Sequence, residues 1–312
     1  MNNQNIMNDT KLEAAIIFAT HLPDALQRAL EYAGDDGFVA SMPQLLHARA
    51  NAPFDNEIWD TWFFTSNSEE SLIKTPQGNH VAAIVHGGGI FATPARFRKL
   101  YLGSTDRHSK DGFTGLFGGK ILETEAHDML KGRCPDGTEI PVFSFSEFRK
   151  GISNLPRRYA VVMDFETART SRCGLTTFDE LKDDPLMIVR AGGAEAAAAY
   201  LDKAQEYYGT SEMGSWHRFD DMDPMLPQTW VQFVYDCLGG ATDKNNNELS
   251  KRTEGMMDIW FTHYRIARDA GFGIRADTAS INTARYVAVA PRRESASVRH
   301  LSFAQYQPPV IR

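Results

Sequence analysis

The sequence predicts an α/β protein: a mixed central sheet with flanking helices, preceded by an N-terminal helical region and an irregular, aromatic-rich insert. Three observations predict it. Apolar runs of strand length end in glycine or acid, as in HVAAIVHGGG (80–89) and YAVVMD (159–164). Helical segments with capping signals follow, such as AEAAAAYLDKAQEYYG over 194–209. The composition supports a packed core, because 42% hydrophobic with 23% charged residues is the ordinary globular mix and argues against disorder.

Taken in order, residues 11–21 read as a short helix. Leu22 precedes Pro23, a pairing that disfavours helix at Leu22. A second helix begins with Pro23 in its first turn, carries Leu26, Ala29, Leu30 and Ala33 at helical spacing, and ends at Gly34. Residues 51–78 mix aromatics with turn formers and predict loops and short strands. HVAAIVH is a buried strand, and TPARFRKLYLG (93–103) is a helix with Thr93 as cap and Pro94 at its first position. Loop with short strands should fill 103–137. TEIPVFSFSEFRKG (138–151) reads as a strand running into a turn or short helix.

The second half opens on the strand RRYAVVMDFETA (157–168). DPLMIVRAGG (184–193) reads as another strand, leading into the alanine-rich helix that Gly209 stops. LPQTWVQFVYDCLGG (226–240) and TEGMMDIWFTHYRIARDAGFG (253–273) read as helices, and ARYVAVAPRR (284–293) as a strand. Ile84-Val85-x-x-Gly88-Gly89 repeats its spacing in Ile188-Val189-x-x-Gly192-Gly193. That echo predicts two α/β halves, 1–155 and 156–312, with one large domain of 312 residues as the alternative.

Composition excludes several classes. A net charge of −7 does not suit a general nucleic-acid coat. Cys134, Cys173 and Cys237 are odd in number and far apart, which excludes a disulfide scaffold and a cysteine-rich zinc site. The N-terminus lacks a basic start, and its apolar stretch Ala14–Ala19 is too short to span a bilayer. The expectation is a soluble cytoplasmic protein with no membrane contact.

Two sets of residues could carry chemistry. The first is the pair of glycine turns. His86, Gly87, Gly88 and Gly89 follow a strand, and Arg190, Gly192 and Gly193 form the second loop. Glycine lets backbone N–H groups approach a ligand, and a helix N-terminus attracts an anion. A nucleotide or phosphorylated metabolite would suit such a place, although neither dinucleotide nor P-loop spacing occurs. The competing reading is that these are tight turns and nothing more. HGGG also resembles the oxyanion loop of lipase- and esterase-type α/β-hydrolases, but the G-x-S-x-G elbow of that fold is absent.

The second set is Asp164 and Glu166, in a stretch, YAVVMDFETA, that resembles the first motif of the DEDD-type 3′–5′ exonucleases. The resemblance implies a divalent-metal site held by Asp164, Glu166, Asp220 and Asp269, with His263 as general base. It covers at most 159–272. The gap from Asp164 to Asp220 is shorter than the family's, and the spacing from His263 to Asp269 is one residue longer.

Three functions stay open at this point. One is a protein, with or without catalysis, that holds an anionic small molecule on the glycine loops. Another is a metal-dependent phosphodiester hydrolase. The third is a non-catalytic structural or self-assembling protein, a homo-oligomer built through aromatics such as Trp59, Trp62, Phe63 and Phe64.

Overall fold

A computed structural model describes residues 12–19, 22–60, 63–89, 93–95, 118–120, 123–172, 174–209, 211–215, 230–237, 284–291 and 298–300. It is an α/β structure with mixed sheet and flanking helices. The described part opens with strand β1 (Leu12–Ala19), helix α1 (Leu22–Ala33), the short β2 (Phe38–Val39) and α2 (Met42–Asn51). The one-turn α3 (Glu57–Asp60) leads into a twelve-residue strand, β3 (Phe63–Lys74), which turns back as β4 (His80–His86). Then come β5 (Gly118–Lys120), α4 (Glu123–Met129), β6 (Val142–Ser144), α5 (Phe145–Arg149) and β7 (Tyr159–Asp164). After α6 (Phe165–Arg169), β8 (Gly174–Thr177) and α7 (Phe178–Lys182), two helices follow closely, α8 (Pro185–Ala191) and α9 (Ala194–Tyr208). The remaining strands among the described residues are β9 (Glu212–Ser215), β10 (Trp230–Cys237), β11 (Ala284–Pro291) and β12 (Val298–His300).

Among the described residues six strands form the largest sheet, in the order β5-β10-β3-β4-β7-β6, four form a second, β12-β1-β11-β2, and β8 pairs β9 in a third. The larger sheet is mixed: β6 runs parallel to β7, and its other pairs are antiparallel. The six- and four-stranded sheets each take strands from both sides of residue 155. β4 pairs β7, β3 pairs β10, and β1 pairs β11. These pairings cross residue 155 within the six- and four-stranded sheets.

Burial explains the sequence patterns. In β4, Ala83 and Val85 face a core shared with β1 and α1, while Ala82 and Ile84 face another built by α5, α6 and α8. With both faces covered the strand reads as an unbroken apolar run. β1 is the same: Ala15 and Ile17 join the first core, and Ala14 and Ile16 join a third, with α2 and α9. The expected helix over 11–21 is thus a strand, because two-sided burial removes the alternation that marks one.

Other elements also differ from expectation. Residues 184–193 are not a strand but α8. Asp184 caps it by accepting from the Met187 N–H at 2.8 Å, Pro185 occupies its first turn, and left-handed Gly192 ends it. Its Ile188 and Val189 are helical, whereas Ile84 and Val85 lie in a strand, so the two similar segments share spacing and not structure. Residues 230–237 are strand β10, between β5 and β3, and not helix. The 51–78 region holds the long β3 in place of irregular short strands. Trp59 is buried and stacks on Tyr207 with ring centroids 4.7 Å apart, so it belongs to the core around α9. The helices expected at 93–103 and 253–273 lie outside the described residues, apart from 93–95.

The structure bears out α1 with Gly34 closing it, strands β4, β7 and β11, the β6–α5 unit, and α9 stopped by left-handed Gly209.

Candidate functional site

β3 carries an unusual stretch. Asn67, Ser68, Glu69, Glu70 and Ser71 are all buried at the middle of the larger sheet. Buried carboxylates survive only with partners, and both have them. Glu69 points to one side and accepts from the Gly89 N–H at 3.0 Å. Glu70 points to the other and accepts from Nε of Arg190 at 2.8 Å. The adjacent Ser68 accepts from the Met42 N–H at 2.9 Å and bonds Nδ1 of His86 at 2.8 Å.

His86 spans the same layer. Its Nε2 lies 3.0 Å from the Val189 carbonyl, which can only accept, so Nε2 carries the proton and Nδ1 accepts from the Ser68 hydroxyl. Burial lowers its pKa to about 3; the Val189 bond opposes the shift and nearby Arg190 adds to it. The ring is a neutral structural bridge between β4 and the C-terminus of α8.

The glycine turns are equally committed. Gly87 has φ +84° and donates its N–H to the Asn67 carbonyl at 2.8 Å; a Cβ there would stand 2.6 Å from the Arg157 carbonyl. The Gly88 carbonyl accepts from Nε of Arg158 at 2.8 Å. Gly192 donates to Val189 and Gly193 to Ile188, closing α8, while the Gly193 carbonyl starts α9. The amides of Gly87, Gly89, Gly192 and Gly193 therefore all face acceptors within the protein, one of them the carboxylate of Glu69.

The acidic pair is placed differently from a metal site on a bending strand. β7 stops at Asp164, and the next residues are helix α6. Asp164 caps that helix, accepting from the Thr167 N–H at 2.7 Å and its hydroxyl at 2.6 Å. The Thr167 hydroxyl bond is the main reason its pKa lies below the usual carboxylate range. Glu166 is exposed, at 74% of its side chain, and sits 3.5 Å from Arg169. Among the described residues no cluster of three or more His, Cys, Asp or Glu side chains is placed to hold a metal. Asp220, His263 and Asp269 lie outside the described residues.

A concave site does exist beside the Gly192 turn. It is a pocket of about 120 Å³ between the start of α2, the segment leading into β7, and the α8–α9 turn. Pro43 and His47 line it from α2, Arg157 and Tyr159 from the second segment, and Gly192 and Ala196 from the third. Burial lowers the pKa of His47. Gly192 was among the residues the sequence pointed to, but His47 stood in no motif and Tyr159 only at the edge of YAVVMDFETA, where the carboxylates drew the reading; Glu69 and Glu70 sat in SEES, within a stretch read as loops and short strands.

No family model matches the chain, and no curated protein matches it. The chain is similar to a solved structure described as the accommodation of massive sequence variation in Nanoarchaeota by the C-type lectin fold. The two share 19% identity and a TM-score of 0.50, over 77% of this chain and 91% of that one. The likeness is one of fold. Among the described residues no helix is long and apolar enough to cross a membrane.

Proposed function

We propose that this chain is a non-catalytic recognition protein: a C-type-lectin-like scaffold, locked internally, that presents its surface to a partner. The observation that carries the reading is the engagement of the polar groups at its centre. Glu69, Glu70, His86 and Arg190 each bond to another part of the scaffold. A site for chemistry needs reactive groups aimed at a cleft; these are aimed at backbone and at one another. The solved structure of similar fold is described as accommodating massive sequence variation. A scaffold that carries its own specification in the core is suited to that role, because exposed positions can then change at little cost to stability.

Particular atoms favour this reading over anion binding and over metal-dependent hydrolysis. Anion binding on the glycine loops needs several free amides, and four of the five there, those of Gly87, Gly89, Gly192 and Gly193, are engaged. Two-metal hydrolysis needs Asp164 and Glu166 to converge, and one caps a helix while the other faces solvent.

The test is a display library randomised at exposed Asp35, Gln77, Lys150, Ser153, Gln205 and Glu206. Sorting first for folded chains and then for binding to an immobilised protein of choice should return specific binders. A library that folds but never yields a binder contradicts the reading.

A further inference from the structure

Among the described residues several buried polar atoms have no hydrogen-bond partner in reach, and of the residues that carry them Tyr159 is the one that lines the pocket beside Gly192. Tyr159 is 3% exposed, and its hydroxyl has no hydrogen-bond partner. Buried hydroxyls are nearly always paired. We propose that the pocket beside Gly192 is a binding site for a small monocarboxylate with a short aliphatic body, whose carboxylate accepts from the Tyr159 hydroxyl.

The donor is held in position. The Tyr159 ring packs against His86 and Phe148, with centroids 5.0 and 5.9 Å away. Its hydroxyl lies 3.7 Å from where a Cβ of Gly192 would stand, with Pro43 Cβ 3.0 Å from the same point, so the phenol meets the two pocket-lining residues Gly192 and Pro43. Burial pushes the phenol pKa up, which keeps it a donor across the physiological range.

Charge selects the ligand class. Arg157 lines the pocket, and its guanidinium is held over the Phe38 ring, 4.7 Å from the centroid. No aspartate or glutamate is among the lining residues. His47 is kept towards its neutral form by burial and adds a polar contact without competing charge. A cation, a fixed hydroxyl donor and no acid favour a carboxylate over an amine or a neutral amide.

Size and wall chemistry set the rest. At about 120 Å³ the pocket is well below a drug-sized site and admits only a few non-hydrogen atoms. Pro43, Leu155, Pro156 and Ala196 supply apolar walls for a short aliphatic chain. The inference is independent of the recognition reading, since a scaffold of any function could hold such an acid.

The experiment compares sodium butyrate with butyramide, by calorimetric titration and by melting, on the wild type, Tyr159→Phe and Ala196→Leu. Tyr159→Phe deprives no protein group of a partner, and Ala196→Leu fills the pocket from a half-buried position. Butyrate should bind the wild type and raise its melting midpoint, and butyramide should do neither. Both variants should fold and bind butyrate at least about tenfold more weakly. Equal binding of the amide, no binding of butyrate, or undiminished binding by the two folded variants would each overturn the proposal.

Discussion

Arg190 and Glu70 stand 120 residues apart in sequence and 2.8 Å apart in space, joining α8 to the central strand of the larger sheet. Glu70 is fully buried and Arg190 is 13% exposed. Breaking such a pair strands a charge in the core. Glu70→Leu or Arg190→Leu alone should cost about 3–5 kcal/mol, and the double variant less than the sum of the two. Denaturant unfolding measures this. Single variants within about 0.5 kcal/mol of wild type would show that the pair does not hold the fold.

His86 gives stability a pH dependence of fixed sign. The ring titrates near 6.5 when unfolded and near 3 when folded. Between those values the unfolded state takes up the proton and the folded state does not. Its contribution is therefore complete above about pH 6.5 and falls away towards pH 3, by up to about 1.4 kcal/mol per pH unit. His86→Gln should flatten that acid limb. Identical acid limbs in the two proteins would contradict the assignment.

Two glycines separate backbone strain from steric clash. Gly78 and Gly87 both have positive φ, at +88° and +84°. A Cβ at Gly78 meets nothing within 4 Å, whereas one at Gly87 meets the Arg157 carbonyl at 2.6 Å. Gly78→Ala should cost about 1 kcal/mol and Gly87→Ala clearly more. Equal losses would mean that the turn after β4 yields easily.

Asp164 should behave as a helix cap and nothing else. Asp164→Ala should lose about 1 kcal/mol, and Asp164→Ser should recover most of it. Manganese should leave the melting midpoint of the wild type unchanged. A manganese-dependent rise that disappears in Asp164→Ala would restore the metal-site reading.

Particular residues show how much of this was legible. HVAAIVH and YAVVMD announced strands through their length and apolar run, and α9 announced itself through alanine and Gly209. The two misread elements of the second half held usable signals. Asp184, Pro185 and Gly192 are the start and stop marks of α8, and the aromatic and β-branched residues of WVQFVYDC favour strand over helix. β1 was less tractable, because burial on both faces hides its period. The polar core was not legible at all: Glu69 and Glu70 are interpretable only once Gly89 and Arg190 arrive from 20 and 120 residues away. Tyr159 was invisible as a pocket residue for the same reason, since Gly192 and Pro43 reach it from elsewhere in the chain.

The most direct test of the account is a position-by-position substitution scan read by folded display alone, without any ligand. Glu69, Glu70, His86 and Arg190 should tolerate almost no replacement, while exposed Asp35, Gln77, Ser153 and Gln205 should tolerate most. A scan in which the buried polar residues can be replaced freely without loss of folding would contradict it, and would mean that they are kept for a ligand and not for the scaffold.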